Sequence, residues 1–282
     1  MKISIIIPTL DRPEQLIPLI DRLRIFLQDQ VELIVVDDSK VPLSEKYLEK
    51  WKERNKYIYR GERLGVSSAR NTGSRQSKGE YLIFLDDDDD FTDSWIEDFF
   101  NSLADNPDLV YCNMRLVNPI GKLTSVSASE NNRGIVIPGA WMIRKDIFLQ
   151  IGGYDERLKF AENTELFFRL NKLSLKKRYI EKENFIYMQS TDGGSKNLQN
   201  MLDSIRLILA KHDDYLTAHV KHLYHQNIGV IEMRFGRFGL ARKHLWRSWR
   251  FKPKKISTLL RIALAYFPAL AKKIYTPEIV LR

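Results

Sequence analysis

The sequence predicts an α/β fold: a mixed, mainly parallel sheet flanked by helices, continued by a C-terminal helical region. Apolar runs of strand length alternate with helix-length segments over the first hundred residues, and after Asn197 only helical patterns remain. The runs ISIII, LIVV and YLIFL are apolar throughout instead of alternating. Strands buried on both faces read this way, as in a parallel sheet covered by helices.

Strands are expected at 2–7, 31–36, 56–59 and 81–85, and helices at 13–27, 44–54, 66–76 and 94–103, in βαβ succession. Asp11 and either Thr92 or Asp93 suit the caps of the helices that follow them, and Pro13 suits a first turn. From 108 to 137 the pattern shortens to strands, with Asn118-Pro119-Ile120-Gly121 as a turn between 114–117 and 122–126. Gly152-Gly153-Tyr154-Asp155 breaks the chain before a helix at 162–173, and two short strands are expected near Arg178 and Phe185. Residues 213–249 read as a helical hairpin broken at Gly236 and Gly239. The division that results is one domain over 1–197 and a helical region over 198–282.

Composition narrows the class. With 282 residues, 44% of them apolar and 29% charged, the chain folds and is not disordered. Its single cysteine, Cys112, forms no internal disulfide, and its place in LVYC suits a small buried hydrophobe. The opening β-branched run meets Pro8 at once and lacks the order of a secretory signal. The longest apolar run, 262–271, has ten residues and contains Pro268, where a membrane span needs about 20. A cytoplasmic location is expected.

A net charge of +9 invites a nucleic-acid reading until the charges are located. Residues 234–282 hold 13 Lys and Arg against one acidic residue, +12, and the rest holds 32 basic and 35 acidic residues, −3. An acidic main domain opposes nucleic acid as a partner. The basic tail interleaves Trp246, Trp249, Phe251, Leu260 and Phe267 with Arg247, Arg250, Lys254, Lys255 and Arg261. Basic amphipathic helices of this kind suit an anionic membrane surface, or they pack inward and show a basic outer face.

Chemistry gathers at strand ends. Pro8-Thr9 closes the first strand, Asp37-Asp38-Ser39 the second, and five successive aspartates, 86–90, follow YLIFL. Open α/β sheets bind ligands at the carboxyl ends of their strands, so these signals face one crevice. Adjacent carboxylates repel, and a hard divalent cation relieves them. Mg or Mn fits best, since such ions bridge one carboxylate to the phosphates of a ligand.

Five segments in order, ISIIIPTLDRPEQL, VELIVVDDS, GVSSARNTGSRQSKGEYLIFLDDDDD, GGYDERL and AENTELFFRL, give residues 1–190 a resemblance to the family-2 glycosyltransferases of the Rossmann-like GT-A fold. The resemblance implies metal-dependent, inverting transfer of a sugar from a nucleotide-sugar donor, UDP-sugar by default, to a hydroxyl acceptor. It implies that Pro8 and Thr9 line the nucleotide pocket, that Asp38 accepts from N3 of a uracil-like base, and that Arg70, with Asn71, secures the nucleotide side. Asp37 and Asp38 also suit simple turn capping. In the D-x-D element, Asp86 and Asp87 would lie toward ribose and phosphates, Asp88 would bind the metal, and Asp89 would stand behind it.

The chain departs from its family at Glu162-Asn163, where Glu-Asp is usual and supplies the general base. An amide cannot take the proton. Glu162 or Glu165 then serves as base, or the chain is an inactivated variant, or it is a weak or inactive sugar-nucleotide binder. Asp155 and Asp192 are reserve carboxylates. Trp141 precedes the GGYDE turn, where the resemblance places the acceptor, and suits either sugar stacking or the core. His219, His222 and His225 lack metal-ligand spacing and read as a surface helix. A nucleotidyltransferase would need a glycine-rich loop after the first strand, which PTLDRPEQL lacks. A growing glycan, lipid-linked at the cytoplasmic membrane face, is the expected acceptor, inferred from the tail alone.

Overall fold

The apolar runs become the centre of a nine-stranded sheet. The computed structural model describes residues 1–27, 29–49, 51, 55–129, 135–189 and 197–276. The chain divides into two compact units, residues 1–156 with 162–190, and residues 157–161 with 191–282.

In the first unit, β1 (Ile3–Thr9) is buried at every position, and α1 (Pro13–Phe26) turns Leu16, Leu19, Ile20 and Leu23 inward at helical spacing. β2 (Val31–Asp37) is also buried throughout. The helix expected over 44–54 is one turn among the described residues, α2 (Glu45–Leu48), capped by Ser44 and burying no side chain. Only Tyr47 and Leu48 of this turn pack, half-buried, against the core, and short helices do not persist on propensity alone. β3 (Lys56–Tyr59), α3 (Val66–Gln76) and β4 (Tyr81–Phe84) complete four parallel strands in the order β3-β2-β1-β4. The buried face of α3 is mostly small and polar: Ser67, Ser68, Ala69, Asn71, Gly73 and Ser74, with Arg70 among them. This lets the helix lie close to the sheet; a Cβ on Gly73 would sit 2.5 Å from Cγ2 of Ile6.

The other half is mixed. It comprises β5 (Asp90–Phe91), α4 (Trp95–Asn101), β6 (Leu109–Val117), β7 (Leu123–Val126), β8 (Trp141–Arg144), α5 (Lys145–Gln150), α6 (Glu162–Leu170) and β9 (Lys177–Met188). The full order is β3-β2-β1-β4-β8-β6-β9-β5, with β7 beside β6. β8 runs antiparallel between β4 and β6, while β6 and β9 are parallel. The fold class read from the sequence is therefore the observed one. Where two short strands were expected near Arg178 and Phe185, a single strand, β9, runs on, its register with β6 slipping between Cys112 and Met114. Cys112 is buried, and burial pushes its thiol well above the usual range.

The second unit is helical: α7 (Leu198–His212), α8 (Ala218–Arg234), α9 (Phe238–Phe251), α10 (Ile256–Ala265) and α11 (Pro268–Ile274). The expected hairpin is α8 and α9, parted at Gly236, whose φ of 71° suits glycine. Leu202, Ile205, Ile228 and Ile231 form one small core, and Met233, Phe238, Ala241, Leu245 and Ile262 another. The surface reading of the histidines fails at His222, which is buried with Nδ1 3.0 Å from the Ser248 hydroxyl. His225 is partly buried and lies Nδ1 to Nδ1, 3.1 Å, from His244. Among the described residues no helix is long and apolar enough to cross a membrane.

Candidate active site

The carboxyl ends of β1, β2 and β4 carry the acidic side chains, and arginines from the start of α1, the end of β3 and α3 reach them, all within the first unit. Pro8 and Thr9 are the last residues of β1, paired with Val36 and Asp37 of β2. The Thr9 hydroxyl donates to Asp87 Oδ2 at 2.7 Å. Arg12 Nη1 reaches Asp87 Oδ1 at 3.2 Å and Asp88 Oδ2 at 2.7 Å. Burial above all raises the Asp87 carboxyl, to about 6, against the pull of Thr9 and Arg12.

At the end of β2 the adjacent aspartates separate in role. Asp37 takes the local one, accepting from Ser39 N at 2.7 Å and from the Tyr57 hydroxyl at 2.6 Å. Asp38 is 4% exposed and held by Arg60, Nε to Oδ1 at 2.5 Å and Nη2 to Oδ2 at 2.7 Å. The amides of Leu64 and Gly65 add two bonds to Oδ2, each 3.1 Å. Oδ1 thus accepts one donor and Oδ2 three, which leaves Oδ1 the better acceptor for a ligand N–H. Sequence reasoning missed Arg60; its signal was its place directly after β3, in line with the other strand ends.

Arg70 is the centre of the other side. It is 1% exposed on α3, donates from Nη2 to Asp86 Oδ1 at 2.5 Å and from Nη1 to Glu162 Oε1 at 3.2 Å, and lies 5.2 Å from the Tyr154 ring centre. Burial opposes its charge, but Asp86, then Tyr154 and Glu162, outweigh that and hold the guanidinium firmly protonated. Asn71 ties the GGYDE turn to the same helix: its Oδ1 accepts from Tyr154 N at 2.9 Å, and its Nδ2 donates to Tyr154 O at 3.0 Å. Gly153, at φ 64°, makes room for this, since a Cβ there would stand 2.5 Å from Asn71 Oδ1.

The structure separates the candidate bases. Glu165 is fully buried and bonded twice by Arg169, Nε to Oε1 at 3.0 Å and Nη2 to Oε2 at 2.7 Å, so it anchors α6. Glu162 opens α6 beside Arg70 with its side chain 14% exposed. Asn163 Nδ2 donates to Glu162 Oε1 at 3.1 Å, and its Oδ1 accepts from the Tyr154 hydroxyl at 2.9 Å. Asp192 lies outside the described residues. Trp141 does not offer a stacking face: it is fully buried, Nε1 donates to Val136 O at 3.2 Å, and Phe84 and Phe167 pack against its ring. It is a core residue, because its face of the sheet is covered by Phe84 and Phe167.

The acidic run suits a divalent ion that takes most of its ligands from a bound diphosphate. Asp88 is one-third exposed, and the buried Oδ2 of Asp89 has no hydrogen-bond partner. Burial, with Asp86 and Asp88, pushes the Asp89 carboxyl well above its usual range. Among the described residues no three His, Cys, Asp or Glu converge on a self-sufficient metal cage. Mg and Mn are commonly held through one or two carboxylates and substrate phosphates.

The mixed sheet with acidic strand ends and flanking helices places the chain in the GT-A class of α/β domains. S. aureus TarS 1–349, solved in complex with UDP-GlcNAc, shares the fold at TM-score 0.67 over 97% of this chain and 91% of that one, with 17% identity. The profile described as glycosyl transferase family 2 matches residues 4–183, and the chain belongs to that family. An uncharacterized glycosyltransferase of Haemophilus influenzae is 28% identical over 186 residues, 60% of this chain and 61% of that one, short of two thirds of its length. An uncharacterized glycosyltransferase of Rickettsia typhi is 25% identical over 264 residues, 86% of this chain and 82% of that one.

Proposed function

We propose that this family-2 chain is a metal-dependent, inverting glycosyltransferase that uses a UDP-sugar. The observation that carries the reading is the convergence of Asp38 with Arg60, Asp86 with Arg70, and Asp88 with Arg12 on neighbouring strand ends. Asp38 Oδ1 accepts N3–H of the uracil, and Pro8 and Thr9 border the base. Arg70 holds Asp86 toward the ribose, and Asp87, fixed by Thr9, lies beside it. Asp88 would hold Mg or Mn, which when bound offsets the negative charge developing on the leaving diphosphate. The acceptor hydroxyl attacks the anomeric carbon opposite the diphosphate, the bond from that carbon to the diphosphate oxygen breaks, and the hydroxyl proton passes to Glu162. General-base assistance of this kind is worth about 10² to 10⁴ in rate.

The second unit supports a membrane-side acceptor. Ile262 and Ala265 bury one face of α10, while Ile256 is 71% exposed and Leu260 62%. Tyr266 and Phe267, which follow α10, are also exposed, and α11 ends on Lys272 and Lys273. Exposed apolar side chains beside lysines favour an anionic bilayer, so the reading is a peripheral enzyme at the cytoplasmic face that glycosylates a lipid-linked glycan.

Titration calorimetry with UDP, with and without Mn, and UDP release from UDP-glucose, UDP-galactose, UDP-GlcNAc and UDP-GalNAc test the donor reading. Mn-strengthened UDP binding and hydrolysis of at least one donor are expected. No UDP binding, or no hydrolysis of any donor, overturns it.

A further inference from the structure

We infer that Tyr154 and Asn163 form a positioning pair that presents one chosen oxygen of Glu162 to the acceptor, so that the asparagine belongs to a working site. The inference rests on the reading of Glu162 as the base.

The pair starts from a fixed point. Tyr154 is 2% exposed, its ring set edge-on against Phe84 and Phe148 and close to the Arg70 guanidinium. Its backbone is bonded in both directions by Asn71, so neither ring nor main chain has room to shift. Burial pushes the phenol well above its ordinary range, and the hydroxyl stays a donor. It donates to Asn163 Oδ1 at 2.9 Å.

With Oδ1 engaged, Nδ2 of the same amide faces Glu162 and donates to Oε1 at 3.1 Å. Chemistry forces this orientation, because an ionised carboxylate only accepts and only the NH₂ end can face it. Arg70 Nη1 bonds the same oxygen at 3.2 Å. Oε1 therefore carries two donors, while Oε2 has no hydrogen-bond partner among the described residues. Two donors on one oxygen lock the carboxylate rotation and occupy Oε1, which leaves Oε2 to take the proton. An aspartate at 163 could accept from Tyr154 but would set a second anionic oxygen against Oε1. Asparagine has the one side chain of this length that both accepts from the phenol and donates to the carboxylate.

UDP release from the hydrolysed donor, with water as acceptor and Mn present, is measured for the parent, Glu162→Gln, Tyr154→Phe, Asn163→Leu and the Tyr154→Phe/Asn163→Leu double variant. UDP affinity and thermal midpoint serve as controls of folding. Glu162→Gln is expected to lose about 10² or more in kcat, the low end for a general base. Tyr154→Phe and Asn163→Leu are each expected to lose about tenfold in kcat with donor KM unchanged, the rate equivalent of one lost hydrogen bond. The double variant should be no slower than the slower single one, since both act through one chain of bonds to Glu162. Full activity of either single variant, losses that multiply, or losses confined to KM overturn the positioning pair while the base reading stands. Full activity of Glu162→Gln overturns the base reading and the pair with it.

Discussion

Arg60 grips Asp38 with two bonds, Nε to Oδ1 at 2.5 Å and Nη2 to Oδ2 at 2.7 Å, with the arginine side chain 10% and the aspartate 4% exposed. A buried carboxylate needs a countercharge, and Arg60 supplies it from the neighbouring strand end while its Nη1 reaches Ser68 at 3.1 Å.

Removing that countercharge tests its share of the stability. Arg60→Ala leaves Asp38 buried and unpaired, and breaking a buried pair from one side costs about 3 to 5 kcal/mol. The denaturation midpoint should fall accordingly. Asp38→Asn keeps the volume and presents an amide where N3–H needs an acceptor, so uridine and UDP should weaken together by about tenfold or more, with or without Mn. Unchanged uridine affinity in Asp38→Asn contradicts the base-reading role.

Asp88 shares its carboxylate with Arg12, so a divalent ion bound there as proposed would compete for it until a diphosphate brought further ligands. Mn alone should bind weakly and Mn with UDP much more tightly. Asp88→Ala should remove the Mn dependence of UDP binding and leave uridine binding and thermal stability unchanged. Removing metal with a chelator should reduce the parent to the behaviour of that variant. Equal UDP affinity with and without Mn in the parent would sink the metal assignment.

The strands and carboxylates of this site were legible because they are local: an apolar run ends, and an acidic residue follows it. Pro8, Thr9, Asp38 and Asp86–Asp88 needed no tertiary information to be found. Arg60 and Tyr154 were missed because their roles depend on partners 22 and 83 positions away, Asp38 and Asn71. β9 was read as two pieces because its middle, Glu181-Lys182-Glu183, is polar and largely exposed; its register with β6 slips there, and pairing with β6 on both sides of the slip keeps the strand continuous. Trp141 looked like a ligand-stacking residue from its sequence neighbourhood; packing of Phe84 and Phe167 over its ring, from positions 57 and 26 residues away, decided otherwise.

The His225 and His244 pair gives the helical unit an acid limit. Burial first, then neighbouring cations, lowers both rings, and His244 falls to about 4. A histidine whose folded pKa lies below its unfolded value, about 6.5, binds fewer protons folded than unfolded between the two. Stability is therefore complete above about pH 6.5 and declines as pH falls toward about 4, where the His244 contribution levels off. Chemical denaturation of the full chain at pH 7.5 and pH 5 should show the loss, and His244→Gln should reduce the difference. An unchanged difference assigns the pH effect to other groups.

Vesicle binding tests the exposed face of the second unit. The hydrophobic cluster of α8, α9 and α10 makes deletion of 234–282 a poor test, because it would expose Met233 and the apolar residues packed with it. Leu260→Asp and Phe267→Asp act on side chains 62% and 63% exposed, so folding is left intact. Each should weaken sedimentation with anionic vesicles by about tenfold, and rising salt should release the parent, since each Lys or Arg near such a surface contributes about 1 kcal/mol. A parent that ignores anionic vesicles at low salt removes the support for a lipid-linked acceptor.

Asn163→Asp places the family's usual carboxylate where this chain has an amide, and its expected outcome follows from the bond it reverses. Nδ2 now donates to Glu162 Oε1 at 3.1 Å. An aspartate there would face that oxygen with a like charge, and one of the two carboxylates would have to take up a proton at higher pH. Were Asn163 a disabled base, restoring the carboxylate would raise transfer by about 10² or more. With Glu162 as the working base, transfer should fall instead, and the acid limb of the rate against pH should move upward because one of the two carboxylates holds a proton into the neutral range. UDP affinity should barely change, since Asp86, the carboxylate proposed to lie toward the ribose, is bonded by Arg70 through Nη2 and not through the Nη1 that faces Glu162. A gain in rate with no shift of the acid limb would transfer the base role from Glu162 to position 163.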